Sequence, residues 1–249
     1  MRKSLTLAPR LLSKRYMKRL ENAKLAPQLL ISAFPSLRND KMAFRSDLHL
    51  ARKFWHMGMG FLIASLYYTV FSRSAAIVTL GSVLGLDILL ETIRLKVPAF
   101  NQKIMRFWRL IMRNEETVHF SGVPYYLASS VLAIAVFPKT IAVLSILLLA
   151  FGDPIASLFG LLFGKMSIQF KSGKSLIGTL AGIATCTLVT LIFLKGLPDF
   201  PRQFIFPLTM VGGIVGGASE LLPLEIDDNF SIPILSGFSL WLAFIVLGI

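Results

Sequence analysis

An all-α fold, a polytopic integral membrane helical bundle of about seven transmembrane helices, is predicted by three observations. The chain of 249 residues is 55% hydrophobic, with a mean hydropathy of +0.69. That is more apolar than a soluble domain, where about 45–50% is usual. The apolar residues fall into seven runs, near 56–72, 75–91, 123–137, 140–163, 175–194, 203–219 and 231–249, each long and poor in charge. The basic residues are lopsided: alternating the intervening segments across a membrane puts 22 of the 26 Lys/Arg on one side. Backbone in lipid has to satisfy its own hydrogen bonds, so the runs are expected to be helices.

Two domains are expected: a basic cytoplasmic arm over 1–50 and a membrane-embedded domain over 51–249. Up to residue 55 the chain carries thirteen Lys/Arg against Glu21, Asp40 and Asp47. Leu11, Leu12, Tyr16 and Leu20 fall near helical spacing among basic residues, which reads as a surface-lying amphipathic helix; Pro27 and Pro35 break the arm further on. It has no apolar segment of the secretory-signal kind. Its acid-poor, Ser- and Arg-bearing start shares composition with organelle transit peptides, and a basic surface arm on anionic lipid headgroups is the favoured reading. The formal charge of +13 would suggest nucleic acid in a soluble chain. Here it points to headgroups and the positive-inside rule, with no nucleic-acid and no obligatory protein partner expected.

The first two runs flank a short turn, and the third is the shortest. The fourth is interrupted by Gly152-Asp153-Pro154. Glycine can end a helix, Asp can cap the next and Pro suits its first position, so a break is predicted there. Side A of the membrane holds the arm and the loops around 92–122, 164–174 and 220–230; side B holds only Arg73, Lys139, Lys195 and Arg202. Side A is therefore expected to be cytoplasmic, in a bacterial inner membrane, an ER-like membrane or an organelle membrane. Cys186, the sole cysteine, lies in an apolar run, which excludes an intrachain disulfide and clustered thiolate zinc ligation. His49, His56 and His119 make no zinc spacing.

Every polar cluster that stands out falls on side A. Asp153 is an acid at membrane depth, a functional-site hypothesis by default. Behind it come Gly152, Gly160, Gly164-Lys165, Lys171, Gly173, Lys174-Ser175 and Gly178. A glycine- and lysine-rich loop opening onto a helix N-terminus suits phosphate. Neither half of the loop matches GxxxxGK[ST], so this is not a Walker A; Gly160 and Gly164 also read as a helix-packing GxxxG pair, and the lysines as interfacial charge. Asp227 and Asp228 repel each other and are best explained by a shared cation, Mg²⁺ or a similar divalent ion, held together with Asp153. A solvated acidic turn is the plain alternative. Arg52 and His56 share a helix face, with Lys53 beside them, as a phosphate clamp or a base. Glu91, Arg94, Glu220 and Asn229 read as structural or accessory, Asp87 lies on the Glu91–Arg94 face, and Glu115 and Glu116 read as loop surface.

GDPIASLFGLLFGK followed by KSGKSLIGT resembles the GD-x-x-A-x-x-x-G-x-x-x-G-K … K-S-x-x-G signature of the polyprenol kinase family, which includes dolichol kinase, phytol kinase and CTP-dependent diacylglycerol kinase. ARKFWHMGMG is similar to that family's Arg-Lys…His…Gly entry, ETIRLKVPAFN to its Glu/Asp-x-x-Arg segment, and ASELLPLEIDDNFSIPILSG to its Glu…Pro…Asp-Asn…Pro close. Four ordered blocks cover roughly residues 50–240. The resemblance implies CTP-dependent phosphorylation of the hydroxyl of a membrane lipid alcohol: a polyprenol, a phytol-like alcohol or diacylglycerol. Nucleotide would lie on the glycine–lysine block, with Asp153 mattering for Mg²⁺–nucleotide and Arg52-Lys53 functional. CTP rather than ATP comes only from the resemblance. Pro after Asp153 and the compact loop before Lys174 depart from the pattern.

Two rivals remain open. A phosphatidate cytidylyltransferase also uses CTP and Mg²⁺, although its usual Asp-Arg-x-Asp close is absent here. A secondary transporter would use a broken helix at Asp153 and a matching interruption, for which the Gly212-Gly213/Gly216-Gly217 run is a faint candidate.

Overall fold

The computed structural model describes residues 49–170, 172–221 and 226–249, apart from the side chains of Lys165 and Glu220. The basic arm up to residue 48, and with it the amphipathic-helix expectation, lies outside the described residues, as does Lys171. Among the described residues there are eight α-helices: α1 Leu50–Thr69, α2 Arg73–Lys96, α3 Pro98–Phe107, α4 Val123–Val136, α5 Lys139–Phe163, α6 Leu176–Gly196, α7 Arg202–Ala218 and α8 Asp228–Leu247. Seven coincide with the seven apolar runs. The eighth, α3, belongs to the polar stretch between the second and third runs. By length and composition α2, α5, α6 and α8 are long and apolar enough to cross a membrane; α4 is a shorter apolar helix.

Local chemistry sets the ends. The Ser72 side chain accepts from the Ala75 N–H at the start of α2, and the Asp227 side chain from the Asn229 N–H at the start of α8. Proline stands in the first turn of α3 and of α4, where its missing N–H costs nothing. Gly248 closes α8 in the left-handed region, φ 73°, which glycine adopts without strain.

The bundle is built on α5, which packs against α1, α4, α6, α7 and α8. Ile141, Leu144, Ile146, Leu148 and Leu149 are all fully buried. In contrast α2 is the least buried of the four long apolar helices, with Val78, Leu86 and Leu89 exposed. The predicted break at Gly152-Asp153-Pro154 does not occur: α5 runs unbroken with Pro154 inside it. Proline removes one helical donor, which would have served the Ala150 carbonyl. Close packing on five neighbours holds the backbone helical across that one missing bond. Likewise α7 is continuous through Gly212, Gly213, Gly216 and Gly217. These glycines let α7 approach α6, where added Cβ atoms would meet Thr190, Thr187, Cys186 and the Ile183 backbone respectively. The paired interruptions that a transporter reading needs are therefore absent from α5 and α7.

Gly217→Ala is expected to destabilise the bundle by about 1–3 kcal/mol, because its Cβ meets rigid backbone at Ile183 and Gly182. Gly58→Ala, with open space around its Cβ, serves as the control. Thermal unfolding in detergent should show a lowered midpoint for the first and none for the second.

Candidate active site

An acidic centre forms where α5, α1 and the start of α8 meet. Asp153 projects from α5, and its charge acts on Lys53 and His56 of α1, on Tyr126 of α4 and on Asp227 before α8. One turn beyond Asp153, Ser157 accepts a hydrogen bond from Lys53 Nζ at 3.0 Å. Burial pushes the Asp227 carboxyl up, and the charges of Asp228 and Asp153 push the same way; hydrogen bonds from the Asn229 backbone and side chain oppose this. Two carboxylates from distant chain positions are thus near enough for their charges to interact. Asp228 turns aside and pairs with Lys174 at 2.7 Å. Among the described residues no three His, Cys, Asp or Glu side chains form a ready metal cage. A pair of hard carboxylates nevertheless fits Mg²⁺, which typically takes one or two carboxylates together with substrate phosphates.

Arg52 is held in place from the far side of the site. Arg94, 1% exposed, spends all five of its N–H donors. It bonds both Glu91 oxygens at 2.9 and 2.7 Å, Asn101 Oδ1 at 2.9 Å, and the carbonyls of Glu116 and His119 at 2.6 and 2.8 Å. Glu91 also accepts from the Ser121 N–H. This network ties the 97–121 segment to the end of α2. Glu116, so fixed, binds the Arg113 N–H and the Arg52 guanidinium at 2.7 Å. Expected as loop surface, Glu116 is instead buried, 7% exposed: the segment folds inward onto Arg94 rather than out to solvent. Gly122 leaves room for Arg52 and for Asn229, both of which an added Cβ would crowd.

The glycine–lysine block is a tight turn before α6. Phe170 N–H donates to the Lys174 carbonyl and Gly173 N–H to the Phe170 carbonyl, with Gly173 at φ 79°. Gly160, Gly164 and Gly178 close in around the Ser175 hydroxyl. Ser175 caps α6 by accepting from Gly178 N–H. The first-turn amides of α6, expected to present donors to phosphate, are already engaged. Leu176 donates to the Ile168 carbonyl and Ile177 to the Ser167 hydroxyl. The preceding hairpin folds across the helix start and takes these donors. The side chains of Lys165 and Lys171 lie outside the described residues.

Next to the acidic centre, a cavity of about 390 Å³ opens between α1, α2, α3 and α4. Arg52, His56, Tyr126 and Asn229 line the end nearest Asp153, and Asp87 lies on the α2 wall. His56 Nε2, Asp87 Oδ2 and Tyr126 OH are buried without a hydrogen-bond partner. The His56 and Tyr126 rings meet edge to face, 4.7 Å between centroids. Both line the cavity, and both feel the charge of Asp153.

No family model matches the chain, and no solved structure matches it. Relatives are found among curated proteins. The chain is 33% identical over 212 residues to CTP-dependent diacylglycerol kinase 1 of Eremothecium gossypii, covering 78% of this chain and 66% of that protein. It is 28% identical to the protein of that name from Saccharomyces cerevisiae, covering 78% of this chain and 72% of that one. Against the Schizosaccharomyces pombe protein of the same name it is 32% identical over 160 residues, or 61% of this chain and 73% of that protein. The chain belongs to the CTP-dependent diacylglycerol kinase family.

For this diacylglycerol kinase family member, sequence reasoning singled out Asp153, Asp227, Lys53 and His56, and the fold brings them together. It missed Ser157 and Tyr126, and misread Glu116. Ser157 was legible as the residue four beyond Asp153 on one helix face, and Glu116 as the far end of an i, i+3 pair with Arg113. Tyr126 carries no sequence signal, since aromatic residues in spans are ordinary. Glu220 and residues 222–225 of the acidic turn lie outside the described side chains.

Arg94→Ala would strand Glu91 and two buried carbonyls. Losing one member of such a network costs about 3–5 kcal/mol. The expected result is failure to purify as a monodisperse protein, or a sharply lowered thermal midpoint. Asp153→Asn should keep the wild-type midpoint.

Proposed function

We propose that this chain transfers the terminal phosphate of CTP to the hydroxyl of a membrane lipid alcohol, diacylglycerol being the acceptor named for its relatives. The observation that carries the reading is the convergence of Asp153 and Asp227, with Lys53 and Lys174 at their flanks, at one end of the bundle. Phosphoryl transfer demands little covalent chemistry of a protein; it needs positioning and neutralisation of charge. Asp153 and Asp227 would hold Mg²⁺, which supplies charge neutralisation at the terminal phosphates when bound. Lys174, and Lys165 and Lys171 of the same block, carry the remaining phosphate charge, Lys174 exchanging its Asp228 partner for the nucleotide. Arg52, braced by Glu116, faces the same end. The lipid oxygen attacks the terminal phosphorus, the bond to the bridging oxygen of CDP breaks, and the hydroxyl proton passes to an aspartate of the 227–228 pair or to His56. The basic side of the membrane, where the Gly–Lys turn and the 97–121 segment lie, is the cytoplasmic one, where nucleotide is available. The arm over 1–50 binds anionic headgroups there.

The test uses purified protein in lipid nanodiscs with Mg²⁺, terminally labelled CTP or ATP, and either dioleoylglycerol or a polyprenol. Label is expected in a lipid phosphate from CTP and to fall at least 100-fold in Asp153→Asn. Release of pyrophosphate with phosphatidate, and no labelled lipid, would make the chain a cytidylyltransferase instead.

A further inference from the structure

Asp153, Asp227, Lys53 and Lys174 account for nucleotide and cation, and leave the cavity behind His56 and Tyr126 without a role. Its walls are apolar, with Met59 and Ile63 from α1, Val83 and Leu90 from α2, and Phe100 and Ile104 from α3. At about 390 Å³ it falls within the range of roughly 300–1,000 Å³ usual for small-molecule sites. α1 packs on α5 and α2 packs on α4, with the cavity between them, and Val83 and Leu90 of α2, which line it, are also part-exposed at the surface of this apolar helix. A molecule with an apolar body can therefore enter sideways.

Three carboxyls interrupt this lining, Asp87, Glu91 and Glu116, and the last two are paired with Arg94 and Arg52. Asp87 Oδ2 is buried with no hydrogen-bond partner. Glu91, one turn further along α2, has both oxygens engaged by Arg94 and the Ser121 N–H, so the ion network beside Asp87 does not complete it. An unpaired carboxyl in an apolar wall is costly. Across the cavity His56 Nε2 is a second buried atom without a partner. With Tyr126 OH, these are three unmet groups in a largely apolar lining, and they call for a ligand that is apolar apart from a hydroxyl. Depth agrees. Asp87 stands nine residues before Lys96 at the end of α2, and Asp153 ten before Phe163 at the end of α5. At about 1.5 Å per residue, both lie on the order of 14 Å in from the helix ends that carry the polar loops.

We propose that this cavity seats the head of the acceptor lipid alcohol, and that Asp87 accepts a hydrogen bond from its hydroxyl and holds the oxygen beside His56. Asp87 is thus a substrate-positioning residue for the acceptor. The assignment rests on the kinase reading for what happens next, but not for binding.

Binding is tested without nucleotide. A diazirine-bearing dioleoylglycerol is photolysed with the full chain in nanodiscs, competed by dioleoylglycerol or by the dioleoyl ester of 1,2-propanediol, which lacks the hydroxyl. Labelled peptides should map to α1–α4, and dioleoylglycerol should compete at least tenfold better than the hydroxyl-free ester. In Asp87→Leu the two should compete within twofold of each other. With CTP and Mg²⁺ the same variant should raise the lipid KM at least tenfold and change the CTP KM less than twofold. Its thermal midpoint should be unchanged or higher, because the lost oxygen had no partner to lose. Labels mapping elsewhere, or full discrimination retained in Asp87→Leu, would overturn the assignment. A wild type that discriminates the two lipids yet transfers no phosphate would overturn the kinase reading and leave the acceptor pocket standing.

Discussion

A charge taken out of water has to find a partner of opposite charge or a full set of hydrogen bonds, and the arrangement of this bundle follows from that constraint. Arg94 is the extreme case. A guanidinium at 1% exposure persists because Glu91, Asn101 and two carbonyls meet every donor it has. In meeting them, the 97–121 segment is drawn down onto the end of α2, Glu116 is carried inward, and Arg52 acquires a fixed anionic partner. Satisfying one buried cation therefore shapes one whole side of the functional end.

The remaining polar groups divide by whether that constraint is met. Glu91, Glu116, Asp228 and Ser175 have protein partners and serve the fold or wait on exchange. Asp153 and Asp227 act on each other through their charges, and Asp87, His56 and Tyr126 keep buried atoms with no hydrogen-bond partner. On the proposed reading the first pair holds a cation and phosphates and the second group holds a hydroxyl.

Much of this was legible in the chain. Seven apolar runs became seven helices because a spanning segment has to close its own hydrogen bonds. Asp153 was legible for the same energetic reason, an acid where acids are expensive. The misjudged break at Pro154 shows where local rules stop. Glycine, aspartate and proline in a row signal a helix boundary, but α5 packs on five neighbours and tolerates the missing donor. The α6 start shows the same limit. A helix N-terminus after a glycine-rich loop offers amides only if nothing nearer takes them, and Ile168, Ser167 and Ser175 take them here. Glu116 and the Asp87 cavity depend on contacts between segments far apart in the chain, which no local spacing encodes.

The central claim is that Asp153 of α5 and Asp227 before α8 act as one cation–nucleotide site. Mn²⁺ binding followed by electron paramagnetic resonance, with CTP present and the protein in nanodiscs, tests it directly. One bound ion is expected in the wild type and in Glu115→Gln, an exposed acid, with affinity weakened at least tenfold in both Asp153→Asn and Asp227→Asn. Binding retained at wild-type strength in those two variants would contradict the account.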